Sequence, residues 1–101
     1  MRIGTVIGRV TLNCTVPALS GGRFLIVSPF MREQFRRTAP TSPAVSQEFS
    51  LVAYDNLGGG VGQTVGFVEG REAAQPFDQP TPVDAYCAAL IDEIFYSPFV
   101  K

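Results

Sequence analysis

Four of the five residues from 58 to 62 are glycine: Gly58, Gly59, Gly60 and Gly62. No other stretch constrains the chain as much. Glycine has no side chain to pack, and it loses more conformational entropy on ordering than any other residue. Such a run is used where the backbone needs positive φ or where another backbone must come close. Two readings are open. The run is either a flexible connection between two strands or an ordered loop that something stabilises, and a second copy of the chain is the stabiliser expected here. The residues around it, Tyr54, Asp55, Asn56, Leu57, Val61 and Gln63, place it just after an alternating apolar segment.

The chain has 101 residues, which predicts a single domain over 1–101. A chain this short buries a modest share of its surface when it folds alone. Yet it is 46% hydrophobic and only 17% charged, against about a quarter charged in an average domain. Apolar surface is therefore expected to be left over once the core is filled, and such surface marks interfaces. A net charge of −1 gives no global attraction to nucleic acid or to anionic membranes. The apolar runs are too short to span a bilayer, and residues 1–6 lack the apolar core of a signal peptide. Cys14 and Cys87, far apart and without a secretion signal, read as free thiols with structural roles, and a cytoplasmic location follows.

Four strands are predicted, over residues 2–14, 23–28, 48–54 and 64–69. In the first, Val6, Val10 and Leu12 share a face, and Gly4 and Gly8 mark a bend, a bulge or a close approach. Residues 15–22 contain Pro17 and end in Ser20-Gly21-Gly22, a strong turn signal. Residues 30–47 read as a long surface excursion in which Met31 to Arg37 could form a helical turn bearing Arg32, Arg36 and Arg37. Residues 70–79 read as a polar connection. Thr81 then looks like an N-cap, with Pro82 in the first helical position and Asp84 as the third residue of a capping box. Val83, Tyr86, Cys87, Leu90, Ile91, Ile94 and Phe95 recur at helical spacing, which predicts a C-terminal helix ending at Ser97-Pro98. The fold class expected is mainly β: a small five-stranded barrel of the oligonucleotide/oligosaccharide-binding (OB) type with one C-terminal α-helix.

No catalytic constellation is legible. Histidine is absent, which removes the commonest general base and metal ligand. The glycine run is neither a dinucleotide fingerprint, because Gln63 takes the last position, nor a phosphate-binding loop, because no lysine follows. Asp55 is placed to hold loop N–H groups in an Asx-turn. Asp92 and Glu93 are helix neighbours that would not converge on one substrate. Ser20 and Ser97 have no histidine to activate them. The expectation is a protein that is not an enzyme and has no metal and no cofactor.

Taken together, the residues resemble the pentameric vertex proteins of bacterial microcompartment shells, the family of the carboxysome and ethanolamine-utilisation vertex proteins. Gly4-x-Val6-x-Gly8-x-Val10 looks like that family's first strand, and residues 19–25 (LSGGRFL) resemble its L-x-G-x-K-L-L turn and second strand. Residues 52–63 are similar to its V-A-x-D-x-x-G-A-G-x-G-E segment. Pro82-Val83-Asp84-Ala85 and Ile91-Asp92-Glu93-Ile94 resemble its ending. Gly59 stands where the family has alanine and Gln63 where it has glutamate, and residues 70–75 and 97–101 depart from it.

The resemblance implies a structural shell protein whose homopentamer caps the vertices of a microcompartment in the cytoplasm. Its implied partners are its own copies and hexameric shell proteins. Ring or pore contacts would come from Asp55, Gly58, Gly59, Gly60, Val61, Gly62 and Gln63, and contacts with neighbouring shell tiles from Arg32, Arg36 and Arg37. The competing class is an OB-type barrel that binds single-stranded nucleic acid, which needs a basic groove interleaved with aromatic platforms. Here eight basic residues face nine acidic ones, and three of the arginines sit in one loop.

Overall fold

The computed structural model describes residues 1–36 and 45–95. Five strands, β1 (Arg2–Val10), β2 (Arg23–Pro29), β3 (Leu51–Asp55), β4 (Thr64–Glu69) and β5 (Ala85–Ile91), close into a barrel in the order β1-β2-β3-β5-β4. Neighbours are antiparallel except β3 and β5, which are parallel and meet at Tyr54 and Tyr86. Closure removes the open edges that a five-stranded sheet would otherwise leave unpaired. One residue per strand alternation points inward, and Val6, Leu25, Val27, Ala53, Val65, Phe67, Ala85 and Cys87 fill the interior.

A barrel this narrow needs sharply bent strands, and two irregularities supply the bend. In β1 the pairing steps from Val6↔Val27 to Gly8↔Ile26, so Ile7 is the extra residue. In β5 it steps from Gly66↔Ala89 to Phe67↔Cys87, so Ala88 is extra. The expected close approach at Gly4 is present, since a Cβ there would stand 2.6 Å from Val27 Cγ1 and 2.7 Å from the Ser28 carbonyl oxygen.

The C-terminal helix expected from residue 81 onward is not formed over residues 81–95, which carry β5 instead; its expected end at Ser97-Pro98 lies outside the described residues. Thr81 is no N-cap: its hydroxyl donates to the Gln79 carbonyl at 2.8 Å. The carbonyl of Asp84 accepts from Gly70 N at 2.9 Å, tying the start of β5 to the end of β4. The reason for the difference is tertiary. Ala85, Ala88, Ala89 and Leu90 favour helix locally, but β4 has a free edge that β5 fills along six paired positions. The extra residue at Ala88 also breaks the period-two alternation, which leaves a pattern that imitates helical spacing.

Smaller differences follow the same logic. β1 ends at Val10 rather than residue 14, and β3 starts at Leu51, leaving Phe49 outside it and 92% exposed. The helical turn expected near residue 31 is α1 (Arg32–Arg36), and the supposed polar connection contains α2 (Arg71–Ala74). Beyond α2, Phe77 packs on the face of β3 and β5 opposite the core. Its ring centre lies 5.4 Å from Tyr54 and 5.8 Å from Tyr86, and Phe24 meets Tyr54 edge-on at 5.5 Å. After the excursion, Ser46 ties the chain to β2 by donating two hydrogen bonds, its N–H to Ser28 Oγ and its hydroxyl to the Pro29 carbonyl.

Strand directions sort the connections onto two ends. The β1–β2 connection, the glycine loop and residues 92–95 gather where β1, β3 and β5 finish. α1, α2 and the salt bridges of Arg2 to Glu48 and Glu69 lie at the other end.

Candidate functional site

The glycine loop runs from the end of β3 to the start of β4, and β5 lies between those strands, so the loop arches over the end of β5. Asp55 anchors it from below. The carboxylate is fully buried and accepts three backbone N–H bonds: Leu57 at 3.2 Å on Oδ1, and Gly58 at 3.0 Å and Gly59 at 2.7 Å on Oδ2. This is the Asx-turn that an aspartate at a strand end is suited to make, extended by one further donor. Carboxylate acceptors are the strong kind, and their number here explains how a charge can be buried.

The rest of the loop is held by its own subunit. Arg23 Nη1 donates to the Gly59 carbonyl at 3.1 Å. Gln63 makes a reciprocal pair with Gly60, its Oε1 accepting from Gly60 N at 2.7 Å and its N–H donating to the Gly60 carbonyl at 3.1 Å. Gly62 N donates to the Val6 carbonyl, and Val6 N donates to the Gln63 carbonyl. The expectation that order in this loop requires a second copy is thus corrected: eight hydrogen bonds within one chain already fix it. Positive φ is needed at Gly58 and Gly62, both at 93°, and Gly60 lies outside that region. Gly59 is the point of close approach, where a Cβ would stand 3.1 Å from Leu25 Cδ1 and 3.3 Å from Leu90 Cδ2. What the subunit leaves uncovered is the apolar tip, since Leu57 and Val61 are both exposed.

Beneath the loop, burial and the nearby negative charge of Asp55 push the Cys87 thiol up from 9.0 to about 12. Folded protein therefore keeps this proton where the unfolded chain loses it. Stability should be unaffected up to about pH 9 and then fall by about 1.4 kcal/mol per unit until about pH 12. In native protein a thiol reagent should modify exposed Cys14 and spare Cys87, with both reacting after denaturation. Equal reaction of the two in native protein would contradict this placement.

The sequence-predicted residues form two separate groups. Asp55, Gly58, Gly59, Gly60, Val61, Gly62 and Gln63 sit together at one end. Arg32 and Arg36 lie on α1 at the opposite end, and Arg37 falls outside the described residues. Two participants were missed from sequence, Arg23 and Val6, because their contacts with the loop come from strands 36 residues or more away in sequence. Among the described residues no group of three or more cysteine, aspartate and glutamate side chains could hold a metal ion. Nor is any helix there long and apolar enough to cross a membrane.

The closed five-stranded barrel is the fold that this chain shares with solved microcompartment shell proteins. The chain belongs to the family described as "Ethanolamine utilisation protein EutN/carboxysome", whose model matches residues 1–92. Among solved structures it is similar to the ethanolamine utilisation protein EutN from Escherichia coli, at 25% identity and a TM-score of 0.73, covering 95% of this chain and 89% of that one. It is also similar to CcmL from Nostoc sp. PCC 7120, at 29% identity and a TM-score of 0.72, covering 93% and 90%. A third is a pentameric shell protein from the RMM microcompartment, at 27% identity and a TM-score of 0.69, covering 90% of this chain and all of that one. No curated protein matches the chain.

Proposed function

We propose that this chain is a single-domain, non-enzymatic shell protein whose homopentamer caps the vertices of a cytoplasmic bacterial microcompartment. The observation that carries the reading is family membership over residues 1–92, joined to likeness with a pentameric shell protein. A flat hexagonal layer cannot close, and five-fold units supply the curvature. Heterologous contacts between identical copies form a ring when the rotation closes. Exposed Leu57, Val61 and Phe95 supply the apolar surface such contacts need. The loop residues Asp55, Gly58, Gly59, Gly60, Val61, Gly62 and Gln63 approach the ring axis, and Arg32, Arg36 and Arg37 meet hexameric neighbours, the first two from α1 at the far end of the barrel. Single-stranded nucleic acid is a poor fit, because Tyr54, Phe24 and Tyr86 pack on one another instead of offering stacking platforms.

Gly60 provides the test. Its φ is not left-handed, and a Cβ there meets only Gln63 Oε1 at 3.8 Å. A side chain at this position therefore leaves the subunit nearly unperturbed, and any loss of assembly reports crowding between copies. Native mass spectrometry should show a pentamer for wild type and folded monomers for Gly60→Val at the same micromolar concentration. A wild-type monomer would end the vertex reading. An intact Gly60→Val pentamer would move the loop away from the axis.

A further inference from the structure

In the strand order β1-β2-β3-β5-β4, the β1–β2 pair lies across the barrel from β5. On the β1–β2 side, at the same end as the glycine loop, is an open cleft of about 290 Å³ whose lining includes the apolar Val10, Leu12, Leu19 and Phe24 and the cationic Arg9 and Arg23, with threonine, serine and glycine between them. A cleft of this size has room for one or two side chains. Arg9 is exposed and makes no salt bridge among the described residues. On the β5 side the chain leaves the barrel as Asp92-Glu93-Ile94-Phe95, with both carboxylates exposed and Phe95 90% exposed. A cleft of mixed lining that carries Leu12, Leu19 and Phe24 beside two arginines, and an apolar segment led by two acids, are complementary in charge and offer apolar surface to each other. The segment leaves the barrel from β5, across from its own β1–β2 cleft, and four residues reach only about 13 Å. Two complementary patches on opposite sides of one subunit are what a head-to-tail ring requires.

We propose that residues 92–95 of one copy seat in the β1–β2 cleft of the next, with Phe95 in the apolar space and Asp92 and Glu93 beside Arg9. This rests on the ring reading above and names the contact that joins its subunits.

Cysteine cross-linking tests it in the full chain. In a Cys14→Ser background, Leu12→Cys combined with Phe95→Cys should give, under mild oxidation, a ladder of covalently linked subunits up to the pentamer on a denaturing gel, and neither single substitution should. A monomer-sized band in which Cys87 is the one thiol still free would show that the segment folds onto its own cleft and would overturn the proposal. So would a pentamer that stays uncross-linked. A charge exchange gives an independent reading. Arg9→Glu should raise the free-monomer fraction about tenfold, and adding Glu93→Arg should lower it again; failure of the second change to restore assembly counts against the pairing. Wild-type mass separates the two ideas: a monomeric wild type defeats the ring itself, whereas a wild-type pentamer without the ladder defeats only this contact.

Discussion

Asp55→Ala should lower the free energy of unfolding by about 3–5 kcal/mol, read from thermal or chemical denaturation. The substitution removes the acceptor for three N–H groups, of Leu57, Gly58 and Gly59, and the Gly59 bond is buried. Each orphaned buried donor carries about 1–3 kcal/mol of desolvation penalty. Gly59 cannot easily turn to water, because Leu25 and Leu90 close around it. Asp55→Asn should be intermediate, since an amide keeps one acceptor oxygen and presents an NH₂ group where a second acceptor stood. The effect should reach beyond the subunit: a loop that loses its anchor no longer presents Leu57 and Val61 in a fixed position. A loss below 1 kcal/mol would mean that the bonds through Arg23, Gln63 and Val6 hold the loop without Asp55.

Phe67→Ala should cost about 3–5 kcal/mol, and Leu90→Ala about 1–2 kcal/mol. Phe67 is fully buried at the centre of β4, pairs with Cys87 and is the largest fully buried side chain among the described residues. Leu90, in β5, is 39% exposed and packs at the mouth beside Gly59. The pair of values distinguishes the two conformations considered for this stretch. On a helix, Leu90 would lie in the middle of the buried apolar stripe, and its truncation would rival that of Phe67. In the barrel it is a rim residue in the isolated subunit. Thermal melts of both variants, compared at equal concentration, decide between them, and equal losses would favour the helix.

Much of this was legible in the order of residues. The glycine run, the anchoring role of Asp55, the strands around Leu25, Val52 and Val65 and the turn at residues 20–22 all follow from interactions within a few positions, where propensity and period act directly. The family pattern is local in the same sense, since each of its segments is contiguous. Three things depended on the tertiary structure. Residues 85–91 became a strand because β4 offered an unfilled edge and the barrel had to close, and that outweighs the modest helix preference of three alanines and a leucine. The glycine loop is secured by Arg23 and Val6, partners brought near only when β2 pairs with β3 and β1 with β4. The Arg32 and Arg36 turn and the glycine loop, both candidate contact sites, lie at opposite ends of the barrel, which strand directions decide. Local sequence determines what each short segment can be; closure of a sheet is a condition on all five strands at once, and no window of the sequence contains it.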